Sequence, residues 1–198
     1  MLGIQNRNIE RHPLEPFAPA NARLLLLGSF PPPQKRWCMN FFYPNFTNDM
    51  WRIFGLAFFG DREHFVDADR HTFRQTEIER LLTHKGIAIY DSACAVRRLR
   101  DNASDNFLEI VEQTDMDALL GRLPQLRAIA ATGGKSAETL ADIFAAARVP
   151  AAGESVPIEF DGRTLQLWRM PSSSRAYPMK LEKKAETYTT LFRELNML

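Results

Sequence analysis

The sequence predicts an α/β fold of three layers, α/β/α, around a central and mainly parallel sheet of four strands. Four short apolar runs lack polar alternation and are bounded by turn residues, which is typical of strands buried on both faces. Helical patterns lie between these runs, and this alternation indicates parallel strands joined by helical crossovers. At 198 residues, we expect one domain over residues 1–198, irregular over residues 1–20.

The four apolar runs give the predicted strands in chain order. They are Arg23–Leu27, Gly86–Tyr90, Leu126–Ala131 and Thr164–Arg169. The Asp161-Gly162 pair before the last run is flanked by apolar residues, and Asp-Gly in that setting is typical of a tight β-hairpin. We therefore expect a hairpin that leads into the fourth strand.

Five segments carry apolar residues at helical spacing, as Trp51, Phe54 and Phe58 do in the first of them. The predicted helices are Asn48–Phe58, Gln75–Thr83, Phe107–Val111, Ser136–Ala147 and Lys180–Leu195. Asp105 is placed to cap the third helix, and Asn48 to cap the first. The charged stretch over residues 60–74 has no predicted structure.

Composition narrows the classes of function. The net charge is +1 and there are two cysteines, Cys38 and Cys94, too few for a disulfide framework or a zinc site of their own. Residues 1–20 mix charge with proline, unlike a signal peptide, and no window has the length and apolarity of a membrane span. We expect a soluble, cytoplasmic monomer in which any nucleic-acid contact comes from local clusters of charge.

The first strand runs directly into a proline-rich turn and then into an aromatic stretch. The turn is Gly28-Ser29-Phe30-Pro31, and the stretch from Asn40 to Trp51 interleaves aromatic rings with Asn45 and Asn48. Rings can stack on a flat ligand while amides and backbone groups bind its edge, and open α/β sheets bind ligands at the carboxyl ends of strands. This stretch predicts a pocket for a flat, polar ring.

Hydroxyls and positive charge follow other strands at the same edge of the predicted sheet. The loop Ser172-Ser173-Ser174 comes after the fourth strand and offers hydroxyl and backbone donors to a phosphodiester backbone. Basic residues follow the second strand or surround that loop: Arg97, Arg98, Arg100, Arg169, Arg175, Lys180, Lys183 and Lys184. Positive charge beside a pocket favours nucleic acid as the ligand.

Two other patterns have simpler interpretations. Gly133-Gly134-Lys135-Ser136 resembles the end of a P-loop, but the upstream glycine is replaced by Ile129, so a strand-to-helix turn capped by Ser136 is favoured. Two histidines and two aspartates within residues 64–71 could ligate a metal, but a solvated loop is the simpler interpretation.

These motifs together resemble the uracil-DNA glycosylase superfamily, and within it the mismatch-specific uracil/thymine and hypoxanthine-DNA glycosylase branches. The turn at Gly28 to Pro31 is similar to the family's Gly-x-Asn-Pro-Gly or Gly-Ser-x-Pro-Gly turn, and Phe42 to Trp51 to its aromatic run. Met170 to Ala176 is similar to the family's Leu-Pro-Ser-Thr-Ser-Pro-Ala loop. The end of the second strand, at Asp91, corresponds to a residue that binds the base edge.

The resemblance implies hydrolysis of the glycosidic bond of a deaminated base, uracil or hypoxanthine, after extrusion from DNA that carries a damaged or mismatched base. The implied base-binding residues are Gly28, Ser29, Phe30, Pro31, Tyr43 and Asp91. The implied DNA contacts are Ser172, Ser173, Ser174, Arg175, Arg97 and Arg98. Asn48 or Asn45 would orient the water, and neither a metal nor an organic cofactor is required.

Phe30 departs from the family pattern, because the mismatch-specific branch has a water-positioning Asn at that position. The hypoxanthine branch also lacks it, which moves the expected water-positioning role to Asn48. Two alternatives stay open: a catalytically inactive nucleic-acid-binding relative, and a hydrolase of free nucleosides.

Overall fold

The computed structural model describes residues 9–99 and 108–198. The strands are β1 (Glu10–Arg11), β2 (Leu24–Gly28), β3 (Val66–Asp67), β4 (Thr72–Phe73), β5 (Ile87–Asp91), β6 (Ala93–Arg98), β7 (Leu108–Gln113), β8 (Ala128–Ala131), β9 (Ser155–Phe160) and β10 (Arg163–Arg169). The helices are α1 (Met50–Phe59), α2 (Gln75–Lys85), α3 (Met116–Gly121), α4 (Gly134–Ile143) and α5 (Leu181–Glu194), with a 3₁₀ turn at Gln34–Arg36.

The main sheet has five strands in the order β5-β2-β8-β10-β9. The first four are parallel, and β9 pairs antiparallel with β10, so the predicted α/β fold with a mainly parallel sheet is confirmed. The expected count of four strands is one too low, because the first arm of the Asp161-Gly162 hairpin is itself a strand. Its Pro157 is tolerated because β9 lies at the sheet edge, where one side needs no ladder donors.

The four predicted strands correspond to β2, β5, β8 and β10, and the strand interiors are completely buried in β2, β5 and β8. The predicted helix at Phe107–Val111 is wrong, since Leu108–Gln113 is a strand that pairs antiparallel with β6. Its helical pattern gives way to a pairing in which Arg97 and Glu109 form an ion pair across the strands. The proposed Asp105 cap lies outside the described residues.

A second, three-stranded antiparallel sheet has the order β1-β6-β7. β1 pairs with β6, and further along the N-terminal segment Phe17 forms a bridge with Ile89 of β5. The expectation of an irregular N-terminal segment therefore needs correction for its described part. Backbone pairing on both sides of residues 12–16 holds this segment beside the carboxyl end of β5.

Helices flank the main sheet. α2 contacts β5, α4 contacts β8 and β10, and α1 packs against α5. The α1 and α5 contact is aromatic, with the Phe54 and Phe58 rings 5.2 and 4.7 Å from the Phe192 ring. Within residues 9–99 and 108–198, no helix has the length and apolarity to cross a membrane.

Candidate functional site

A cleft of about 630 Å³ opens at the carboxyl edge of the main sheet. Segments 28–32, 42–45, 47–48 and 172–178 line it, together with Arg36, Asp91 and Thr132. Thr132 directly follows β8 and Ser172 follows β10, so four neighbouring parallel strands deliver the lining residues. The proline-rich turn, the aromatic stretch and the serine loop (residues 172–175) thus lie around one cavity, whose volume is in the usual range for small-ligand sites, roughly 300 to 1000 Å³.

Asp91 lies at the base of this cleft, beside Gly28. The two residues are partners in the parallel pairing of β2 and β5, and the Asp91 side chain is only 10% exposed. A Cβ atom at position 28 would collide with Asp91 Oδ1 and would lie 3.6 Å from the Tyr43 hydroxyl. Glycine is therefore required at position 28 by the close approach of the carboxylate.

His12 forms a buried pair with Asp91. Its Nε2 is 2.8 Å from Asp91 Oδ2, and the His12 side chain is only 2% exposed. His12 Nδ1 faces the backbone of Leu14, 3.1 Å from its N–H and 2.9 Å from its carbonyl oxygen. The Phe30, Phe42 and Tyr90 rings surround the imidazole, with Tyr90 at a centroid distance of 4.5 Å.

Burial raises the pKa of Tyr90 to about 12, and the neighbouring charge of Asp91 adds to the shift. The Tyr90 phenol is therefore neutral at neutral pH. The wall behind His12 is thus apolar and uncharged, while the Asp91 carboxylate is a concentrated negative charge.

Tyr43 and Phe30, the two predicted stacking rings, have different environments. Tyr43 lines the cleft with a left-handed backbone, φ 50°, and its hydroxyl is 2.8 Å from Thr132 Oγ1. The Phe30 side chain packs in a small apolar cluster with Ala93 and Val96, and the residue is 9% exposed. Little of the Phe30 ring is therefore available to a ligand, whereas Tyr43 is fixed at the cleft wall.

Asn45 and Asn48 both line the cleft just before α1. Asn45 Oδ1 accepts from the backbone N–H and from the hydroxyl of Thr47, at 3.0 and 2.9 Å. Asn48 Oδ1 accepts from the Met50 N–H at 2.9 Å, while the N-cap residue of α1 is Asp49. Since an amide oxygen has two lone pairs, the Asn48 oxygen retains one for a further donor and the Asn45 oxygen uses both.

A buried ion pair fastens the serine loop to α1 and α5. Lys184 Nζ is 2.9 Å from Asp49 Oδ2 and donates to the Ser174 carbonyl at 2.7 Å. The Asp49 N–H donates to the Ser173 carbonyl at 2.9 Å, and Arg175 Nε lies 3.3 Å from Asp49 Oδ1. Lys184 is completely buried, so it stabilises the loop from beneath and does not belong to the exposed basic cluster that the sequence suggested.

The serine loop places its side chains in different environments. Ser173 is buried, whereas Ser174 and Arg175 are exposed at the mouth of the cleft. The Ser172 hydroxyl accepts from the Ser174 N–H and the Ser174 hydroxyl from the Ala176 N–H, both at 3.2 Å. Local bonds of this kind hold the loop in a compact turn.

The predicted DNA-contacting arginines also differ in exposure. Arg175 is 54% exposed at the cleft mouth, and Arg97, at 35%, is paired with Glu109 on the second sheet. The Arg98 side chain is 9% exposed, paired with Glu10, and donates to the Pro31 carbonyl at 2.6 Å. Arg98 therefore supports the proline-rich turn, and its contact with phosphate stays a prediction.

Sequence reasoning assigned no role in this site to His12, Arg36 and Asp49, and it missed the burial of Lys184. Only Lys184 carried a usable signal, because it shares the apolar stripe of α5 with Leu181, Tyr188 and Leu191. In the part of the chain that the structure describes, no three His, Cys, Asp or Glu side chains cluster in a way that could hold a metal ion.

Comparison with known proteins gives a fold. No protein-family model and no curated protein sequence matches the chain. Among solved structures, the chain is similar to the solution NMR structure of a protein from Methanosarcina acetivorans described as a "putative uracil DNA glycosylase". The TM-score is 0.62 at 22% identity, over 96% of this chain and 99% of that one. This likeness establishes a shared fold over nearly the whole length.

Proposed function

We propose that the chain is a monofunctional DNA glycosylase that excises a deaminated base, uracil or hypoxanthine. The observation that carries this proposal is the cleft at the carboxyl edge of the sheet, with the Asp91 carboxylate at its base and Arg175 exposed at its mouth. The fold shared with the protein described as a "putative uracil DNA glycosylase" supports it. The resemblance of the turn, aromatic and serine-loop motifs supports it further.

The cleft suits a base that has been extruded from the DNA duplex, rather than one that is still stacked between its neighbours in the duplex. Chemistry on a base requires removal of the nucleotide from the duplex, at a cost of a few kcal/mol that is lowest for damaged or mispaired bases. In the proposal, the exposed hydroxyl of Ser174 and the Arg175 guanidinium contact the backbone at the extrusion point. The base enters the cleft against Tyr43, and such stacking contributes roughly 1 to 3 kcal/mol.

The chemical step needs charge stabilisation and a positioned water. The glycosidic C–N bond breaks with its electron pair leaving on the base, and the sugar acquires oxocarbenium character that the nearby Asp91 charge stabilises. A water bonded to the remaining lone pair of Asn48 Oδ1 then attacks the sugar carbon, and the proton that this water loses passes to the departing base anion, which is released as the neutral base. The bonding of Asn45 Oδ1 favours Asn48 over Asn45 for this role.

A duplex with one uracil or one hypoxanthine, incubated with the protein and then treated with alkali, tests the proposal. We expect strand cleavage at the modified base and release of the free base. Binding without cleavage would favour a non-catalytic nucleic-acid-binding protein. Base release from free nucleosides alone would favour a nucleoside hydrolase.

Asn48→Ala tests the assignment of the water-positioning residue. We expect the excision rate to fall at least about 10²-fold, the size of effect that follows when a reacting group is no longer held in place, with duplex affinity nearly unchanged. Asn21→Ala is the matched control, because Asn21 precedes β2 at the opposite edge of the sheet, where its amide donates to the Thr83 carbonyl at the surface. Equal rates for the two variants would remove Asn48 from the mechanism.

A further inference from the structure

His12 is anchored by backbone bonds, so the place of its ring is determined by the fold. The backbone N–H of His12 donates to the Cys94 carbonyl at 2.8 Å, and this bond directly follows the pairing of β1 with β6. The ring then packs in the aromatic enclosure of Phe30, Phe42 and Tyr90. A histidine in such an enclosure has few ways to satisfy its two nitrogens. Here Nε2 faces the Asp91 carboxylate, and Nδ1 faces the backbone N–H and carbonyl of Leu14.

The partner of Nε2 determines that a ring proton lies there. Nδ1 is 3.1 Å from the Leu14 N–H, a donor, and 2.9 Å from the Leu14 carbonyl, an acceptor, so its surroundings suit either role. Nε2 faces the Asp91 carboxylate, which when ionised only accepts hydrogen bonds, so a proton lies on Nε2. Nε2–H faces Asp91 Oδ2 at 2.8 Å, so it donates to that oxygen.

Asp91 is consequently oriented by its neighbours. His12 occupies Oδ2, while Oδ1 lies against Gly28, which lines the cleft. An ionised carboxylate only accepts hydrogen bonds. Asp91 Oδ1, beside the cleft floor, can therefore accept a hydrogen bond from a ligand but cannot donate one.

We propose that His12 is a positioning residue that holds Asp91 as a hydrogen-bond acceptor, and that this selects bases with a ring N–H at the edge facing Asp91. This inference rests on the proposed glycosylase function and deepens it. Deamination converts N1 of adenine and N3 of cytosine from an acceptor into an N–H donor. An acceptor at this place therefore binds hypoxanthine or uracil and opposes the lone pair of the parent base.

Asp91→Asn tests this inference, because the substitution should replace the hydrogen-bond acceptor that faces the cleft by a donor. While His12 keeps its proton on Nε2, that N–H needs an acceptor, so the new amide directs its oxygen to His12 and its NH₂ toward the cleft; histidine ¹⁵N shifts of the variant report whether the proton stays on Nε2. The variant then presents a donor where the wild type presents an acceptor. Adding His12→Phe removes the demand for an oxygen and allows the amide to rotate its oxygen toward the base.

The measurement is the single-turnover excision rate on duplexes with hypoxanthine or 1-deazahypoxanthine, which replaces N1–H by C–H; the uracil and 3-deazauracil pair serves in parallel. We expect a ratio of at least about tenfold for the wild type, because a site built around a hydrogen bond rejects the analogue without it. The ratio should approach one in Asp91→Asn and recover at least threefold in the double variant. A double variant no better than Asp91→Asn would overturn the inference.

Two controls keep the result interpretable. Thermal unfolding shows whether each variant folds, and His12→Gln, whose amide can donate to Asp91 in place of Nε2, should keep the wild-type ratio. Histidine ¹⁵N shifts of the wild type report the tautomer without any activity, and a proton on Nδ1 alone would refute the assignment. If the wild type excises no base at all, the proposed function fails and this inference with it; excision with equal ratios refutes the inference alone.

Discussion

Lys184→Met removes one partner of the buried ion pair beneath the serine loop. The methionine side chain fills a similar volume, so the main perturbation is the loss of the ammonium group. Asp49, itself only 6% exposed, then loses its bond to Lys184 Nζ, and the Ser174 carbonyl loses a donor.

The expected cost follows from the environment of Asp49. Removal of one partner from a buried pair typically costs about 3 to 5 kcal/mol, because the remaining charge stays in a poorly solvated place. Arg175 Nε, 3.3 Å from Asp49 Oδ1, partly compensates, so we expect about 3 kcal/mol. For a chain of 198 residues this corresponds to a lower Tm by about 6 to 12 °C.

Lys183→Met is the matched control on the same helix. Lys183 is 68% exposed and paired with Glu186 at the surface, where screening by solvent leaves an ion pair with little effect on stability. Urea unfolding of both variants, with equal m-values as a check on the two-state assumption, gives the comparison.

The double variant Asp49→Asn with Lys184→Met separates a stranded charge from general damage to packing. Without the carboxylate there is no uncompensated charge, so the double variant should lose less stability than the sum of the single losses. The reasoning is refuted if Lys184→Met costs no more than Lys183→Met, or if the two single losses simply add.

Two further predictions address the cleft. Gly28→Ala should displace the Asp91 carboxylate, lowering the excision rate at least about tenfold and stability by roughly 1 to 3 kcal/mol, whereas Gly121→Ala, with open space around its Cβ, should have neither effect. The raised pKa of Tyr90, about 12, predicts alkaline loss of stability: the unfolded tyrosine ionises near pH 10, so this contribution is complete below pH 10 and lost as the pH rises toward 12. Thermal unfolding against pH measures this loss, and Tyr90→Phe should reduce it; an unchanged slope would contradict the assignment.

The sheet and the location of the cleft were predictable because both depend on local patterns. Runs such as Leu24–Leu27 have no polar face and can only be buried, and the carboxyl ends of parallel strands necessarily meet at one edge. The turn at Gly28 and the strand end at Asp91 are therefore adjacent by topology. Gly28 and Asp91 are direct partners in the pairing of β2 with β5. This register is the one expected when both strands end at the same edge of the sheet.

The second sheet and its consequences were not predictable in this way. β1 is two residues long, and its partner β6 lies more than 80 residues further along the chain. A short segment that mixes charged residues with prolines has no pattern that predicts such a pairing. Because His12 reaches Asp91 only through this pairing, the sequence contained the residue but no sign of its role.

Lys184 illustrates a different limit of sequence reasoning. A lysine near a hydroxyl loop suggests an exposed cation, yet its position on the apolar stripe of α5 indicates burial. The stripe is decisive, since a buried lysine needs a buried partner, and Asp49 supplies it. Helical phase is thus a better guide to this residue than the charge cluster around it.

The Phe30 position shows how the proposed chemistry depends on two pairs that the sequence did not predict, His12 with Asp91 and Lys184 with Asp49. The ring packs in a cluster with Ala93 and Val96, so it leaves no room there for a water-positioning amide. In the proposed function the water is therefore held at the start of α1 by Asn48, whose neighbour Asp49 is paired with Lys184. The proposed function also places the base against Asp91, which is paired with His12. If the proposed function is correct, a defect at Lys184 should lower the rate for every substrate equally, whereas a defect at His12 should alter the choice among substrates.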